Sequence, residues 1–130
     1  MGCSATGWVT LEYFIGRQGD TLMQMVVRLF LEVTDASEAE TITYGIEHHL
    51  QSFATMTKEL VRPYWKIHEF TEVLLVFDLQ ISGEDVIYTL MNYLADGWFT
   101  VSEHEVLWTV EGGSRARIPA LRWGHIEIHN

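Results

Sequence analysis

Between Leu22 and Val33 the chain alternates. Met25, Val27, Leu29, Leu31 and Val33 fall on one side, and Gln24, Val26, Arg28, Phe30 and Glu32 on the other. A period of two is the signature of extended backbone, where successive side chains point to opposite faces. This segment is therefore read as a strand. Trp8 to Ile15 (WVTLEYFI), rich in β-branched and aromatic residues, reads as another. Gly16 to Asp20, with two glycines, supplies the turn of a first hairpin.

Past Thr34 the period changes. Thr34 or Asp35 can cap a helix, and Ala39, Ile42, Ile46, Leu50 and Phe53 recur at three and four, giving one apolar stripe from about Ser37 to Ala54. Arg62-Pro63 breaks the pattern, and Tyr64 to Phe70 is extended or irregular, with room for a short strand. Glu72 to Gln80 (EVLLVFDLQ) is almost continuously apolar, as in a strand buried on both faces. Ser82 to Asp85 opens a second helix running to about Ala95, with Val86, Leu90 and Leu94 on its buried side and Gly97 as its stop. Glu105 to Val110 is a strand, Glu111 to Ser114 a turn, and Leu121 to His129 the last strand. Two strand–helix units plus hairpins imply an α+β fold. The expected architecture is a single, mostly antiparallel sheet with two helices packed on one face, a ferredoxin-like or related sandwich. The 130 residues fit one domain, with residues 1–6 as a flexible terminus.

Charge bounds the function. Eighteen acids against eight bases leave a net charge of −10. Such a field opposes nucleic acid and anionic membranes and speeds encounter with a basic partner. From Leu29 to Thr57, and again from Ile67 to Ser114, there is no Lys or Arg. No apolar run is long enough to cross a membrane and no secretory leader is visible, so a cytoplasmic protein is expected. Met1-Gly2-Cys3-Ser4-Ala5-Thr6 fits a myristoylation pattern, with Cys3 placed for palmitoylation; the alternative is a frayed terminus. Cys3 is the lone cysteine, so there is no internal disulfide.

No complete catalytic motif is present. The chain has no Gly-x-Ser-x-Gly, no phosphate loop and no dinucleotide fingerprint, and no cofactor is expected. His48-His49 diverge on a helix; His68-Glu69 and Glu103-His104-Glu105 set acids beside imidazoles without a nucleophile. The sharpest local pattern is His125, Glu127 and His129, which share one face of a strand and are a candidate metal-binding set. The competing reading makes Ile126 and Ile128 the buried face and leaves the polar residues in water.

The helix ending Asn92-Tyr93-Leu94-Ala95-Asp96-Gly97-Trp98, followed by Val106-Leu107-Trp108 and Leu121-Arg122-Trp123-Gly124-His125-Ile126, resembles small immunity proteins of bacterial toxin–immunity systems, including contact-dependent growth inhibition. The resemblance covers about a third of the chain and carries over no functional residue. It implies tight binding to a cognate toxin, commonly a basic nuclease. An acidic surface and the lack of a catalytic motif suit such an inhibitor. Expected contact residues are Asp35, Glu38, Glu40, Glu84 and Asp85 at the helix starts, and Glu103 and Glu105 at a strand rim. Tyr64, Trp65 and Trp98 are expected as exposed aromatic anchors. The alternatives are a ligand- or metal-binding domain using the C-terminal His/Glu face, an enzyme acting through a site that no motif announces, and a structural or homo-oligomer-forming subunit.

Overall fold

The computed structural model describes residues 23–112 and 115–129. The first predicted strand and turn, the Gly2/Cys3 pattern and part of the Gly112-Gly113 turn lie outside them. In chain order the elements are β1 (Gln24–Leu31), α1 (Ala36–Leu50), β2 (Ala54–Pro63), β3 (Thr71–Leu79), α2 (Gly83–Leu94), β4 (Ala95–Asp96), β5 (Phe99–Ser102), β6 (Glu105–Thr109), β7 (Arg115–Ala116) and β8 (Leu121–His129).

Six strands form one antiparallel sheet in the order β2-β3-β1-β8-β6-β5, and β4 and β7 form a small ribbon. Both helices pack on the same face. The path β1-α1-β2-β3-α2-β8 with strand order β2-β3-β1-β8 is the βαββαβ arrangement of a ferredoxin-like sandwich. The ribbon and the β5–β6 hairpin are inserted between α2 and the last strand, and the hairpin widens the sheet beyond β8.

The alternation of β1 decides which face meets the helices. Met25, Val27, Leu29 and Leu31 enter the main core with Val73, Leu75, Phe77 and Leu79 of β3, and with Leu121, Ile126 and Ile128 of β8. Ala39, Ile46 and Leu50 of α1 and Val86, Ile87, Leu90 and Leu94 of α2 close it from above. Each such Val, Leu, Ile, Phe or Met side chain, fully buried, contributes about 1.5–3 kcal/mol against exposure. Trp108 of β6 is also buried in this core, and its indole N–H donates to the Asp96 carbonyl at 2.7 Å, tying the inserted hairpin to the ribbon. The backbone reverses after α2 through Gly97, whose φ of 83° suits a residue without a Cβ.

Two expectations need correction. The first helix ends at Leu50, not near Ala54; Phe53 continues the apolar stripe, but its N–H donates to Leu50 in a turn, and Ala54 already opens β2. β2, β5 and the two-residue strands β4 and β7 are also absent from the expected elements. Of the conformations open to Tyr64 to Phe70, the segment takes the irregular one and holds no strand, and it is closed by Tyr64 N–H donating to the Phe70 carbonyl at 2.9 Å.

The helix starts differ in a way that can be measured. Asp35 caps α1, its carboxylate accepting from the Ser37 N–H at 3.0 Å, whereas Ser82 at the start of α2 makes no side-chain cap bond. Asp35→Ala is therefore expected to lower stability by about 1 kcal/mol. Ser82→Ala should shift the urea midpoint much less, with the denaturant slope unchanged in both variants.

Candidate functional site

The face of the sheet opposite the helices has a different composition. Directly paired residues of an antiparallel sheet share a face, so the registers give its rows. One row runs Thr109, Trp123, Phe30, Glu72, Arg62. The next runs Phe99, Leu107, His125, Arg28, Leu74, Leu60. A third runs Glu105, Glu127, Val26, Val76, Lys58.

An ion triad occupies the centre. Glu72 is only 4% exposed and accepts from Arg28 Nε at 2.8 Å and from Arg62 Nε at 3.0 Å, one guanidinium on each carboxylate oxygen. Phe30 stacks between Tyr64 and Trp123, with ring centroids at 4.4 and 5.0 Å. The Arg28 guanidinium lies 5.4 Å from the Phe30 ring and 5.9 Å from that of Trp123, within cation–π range. His125, 7% exposed, has Nε2 2.7 Å from Glu105 and stacks on Trp123. Glu105 and Glu127 stand directly opposite each other, a pairing that like charge disfavours. Imidazole neighbours lie beside both: His125 at Glu105, and His129 Nε2 3.1 Å from Glu127. The second contact is misaligned for a hydrogen bond, and this nitrogen is buried without another partner.

His125, Glu127 and His129 thus share one face, as their spacing predicts. The geometry divides them between two acid–imidazole pairs, and no group of three or more His, Cys, Asp or Glu among the described residues is arranged to hold a metal ion. A hollow of about 340 Å³ lies at the other edge of the sheet, lined by Tyr44, Glu47, His48, Gln51, Ala54, Thr55 and Met56. It contains none of the expected site residues.

The expected contact acids separate into two groups. α1 begins where β1 ends, and α2 begins where β3 ends, beside the start of β1. The two helix starts are therefore at opposite ends of the sheet, about 25 Å apart by the rise of an eight-residue strand. Asp35, Glu38 and Glu40 are exposed at the end where β1 finishes, near Glu32, which accepts from Arg122 at 2.7 Å. Glu84 and Asp85 are exposed at the other end. There Gly83 lies against Ile128 of β8, and the His104 carbonyl accepts from the Ile128 N–H at 2.8 Å. The α2 start, the β5–β6 turn and the end of β8 thus meet at one corner of the sheet, with Glu84 and Asp85 on its helix side and Glu105 and Glu127 on its open face, and Glu103 in the turn. Glu127 was foreseen only as a weak metal ligand.

The cations among the described residues lie elsewhere. Arg62, Lys66, Arg115, Arg117 and Arg122 are at the end where β1 finishes, and Arg28 is at mid-sheet. Lys58 shares a row with Glu127 but on β2, three strands away, about 14 Å at ordinary strand spacing.

The aromatic anchors also divide. Trp65 is 63% exposed, as expected. Tyr64 is half-buried under Phe30. Trp98 is not an exposed anchor: it packs on the core, its indole N–H shared between the carbonyls of Met91 and Ala95 and its ring against Gly124. The exposed aromatic of that segment is its neighbour Phe99.

Removing one member of a buried ion network costs more than removing one of an exposed pair. Glu72→Gln is expected to destabilise by about 3–5 kcal/mol. Glu32→Gln, which breaks the exposed pair with Arg122, should cost about 1 kcal/mol or less in the same urea titration.

Compared with protein-family models, with curated proteins and with solved structures, the chain matches none of them.

Proposed function

We propose that this chain is an acidic protein-binding domain that neutralises a basic partner, docking it at the corner formed by the start of α2, the β5–β6 turn and the end of β8. One observation carries the reading. Glu84, Asp85, Glu103, Glu105 and Glu127 lie at the same end of the sheet, the first two on its helix side and Glu105 and Glu127 on its open face, while the described Lys and Arg side chains lie at mid-sheet, on the far strand or at the opposite end.

A net charge of −10 alone would only keep a protein soluble. Segregation does more. Screening reaches about 8 Å at physiological salt, so charges act on an approaching surface only in local groups. Five carboxylates at one corner give such a group a direction, and a basic protein is steered to it faster than a neutral one. The same field disfavours nucleic acid and anionic lipid as partners. Among the described residues no helix is long and apolar enough to cross a membrane. A toxin with a basic active-site cleft, of the class implied by the resemblance to immunity proteins, is the kind of partner this corner would fit.

The test starts from the basic protein that the tagged chain captures from its native host. Its association rate, followed by stopped flow, is expected to fall about 10-fold or more between low and high salt. Joint reversal of Glu84→Lys, Asp85→Lys and Glu103→Lys should lower it comparably at low salt, whereas Glu38→Lys with Glu40→Lys should have little effect. A rate indifferent to salt and to all these substitutions would overturn the reading.

A further inference from the structure

Among the described residues, the two outer strands of the sheet are defended unequally. The outer side of β2, which no described strand pairs with, carries Lys58, Glu59 and Arg62, ends in Pro63 and bulges between Met56 and Lys58. Charge, proline and bulges all keep an edge from pairing with another chain. β5, at the opposite edge, has none of the first two. Phe99, Thr100, Val101 and Ser102 are all exposed, uncharged and able to donate a backbone N–H. Phe99 is 66% and Val101 49% exposed, although both are large apolar side chains. β5 is short, and its ladder with β6 shifts between Thr100 and Ser102. Among the described residues no strand pairs with its outer side.

The surroundings of β5 select what could pair there. The strand runs into the Glu103–His104 turn, where the Glu103 side chain is 86% exposed, and Glu105 follows on β6. A second copy of this chain, added antiparallel, would bring two molecules of net charge −10 together and set a Glu103 at each end of the new pair. A basic strand would place its cations against those carboxylates and its alternate apolar residues along Phe99 and Leu107, which share a face.

Building on the proposal of a basic partner, we infer that the outer edge of β5 takes up an extended basic segment of that partner as an added strand. Backbone hydrogen bonds to β5 hold the segment, and Glu103 and Glu105 select its charge.

The test uses the whole protein and two fluorescein-labelled ten-residue peptides of alternating lysine and valine. One has native backbone; the other has alternate amides N-methylated, which keeps the charge but removes the ladder bonds. The native-backbone peptide is expected to bind at low salt at least 10-fold more tightly than the methylated one. It should also slow amide exchange in β5, read by NMR on the unaltered protein, while leaving β2 unchanged. Val101→Pro should weaken binding comparably. If that variant does not fold, the methylated peptide and the exchange map decide alone. Equal binding of both peptides, or protection that misses β5, overturns the edge while leaving the basic partner standing. Failure of both peptides to bind also overturns it, with the capture experiment still deciding the partner reading. A salt-stable dimer protected along β5 assigns the edge to a second copy and overturns it as well.

Discussion

β1 hydrogen-bonds to β3 on one side and to β8 on the other, and its alternating side chains give each face of the sheet its chemistry. Met25, Val27, Leu29 and Leu31 on one face demand cover, which α1 and α2 supply. Arg28 and Phe30 on the other face demand polar and aromatic neighbours, which arrive at fixed register from Glu72, Trp123 and His125. A slip of one residue would exchange the two sets and drive a guanidinium into the apolar core, so the register of this strand is strongly specified. The buried Glu72 between two arginines is better understood as a constraint on that register than as a source of stability. Paired buried charges often do little better than break even, yet losing one member is costly.

The same topology sorts charge along the strand axis. A ferredoxin-like crossover sends α1 and α2 in opposite directions, so their acidic first turns cannot form one patch. The inserted β5–β6 hairpin instead joins Glu103 and Glu105 to the α2 start and the end of β8, while Arg117 with Asp96 and Arg122 with Glu32 neutralise acids at the other end. A hairpin whose Val106 and Trp108 join the main core thus also completes an acidic corner and, in β5, an edge that no described strand covers. Two candidate contact features fall in one place.

Much of the fold was legible because hydrophobic period is a local signal. The alternation from Leu22 to Val33 assigns the Gln24–Leu31 side chains to the faces they occupy, and the apolar stripes of both helices are those that pack. β2 was missed because an edge strand needs only part of one face apolar. Thr55, Thr57 and Glu59 are exposed, and its bulge breaks the alternation that would announce it. β5 was missed because four exposed residues carry no period. The site was less legible. Whether Glu84 shares an end of the sheet with Glu103 or with Glu38 is decided by helix direction and by where a hairpin inserts, neither of which is written in residue spacing. Trp98 was misassigned because its position after a helix break suggested exposure, whereas three carbonyl-and-ring contacts turn it inward.

The central claim is that negative potential is concentrated at one corner of the molecule. It can be measured without a partner, from the paramagnetic relaxation that a cationic and a neutral nitroxide cosolute induce at each backbone amide. The account predicts the largest cationic excess at the amides of Glu84, Asp85, Glu103, Glu105 and Glu127, and a clearly smaller one near Arg115, Arg117 and Arg122. An excess that is uniform over the surface, or greatest at Asp35 to Glu40, would contradict it.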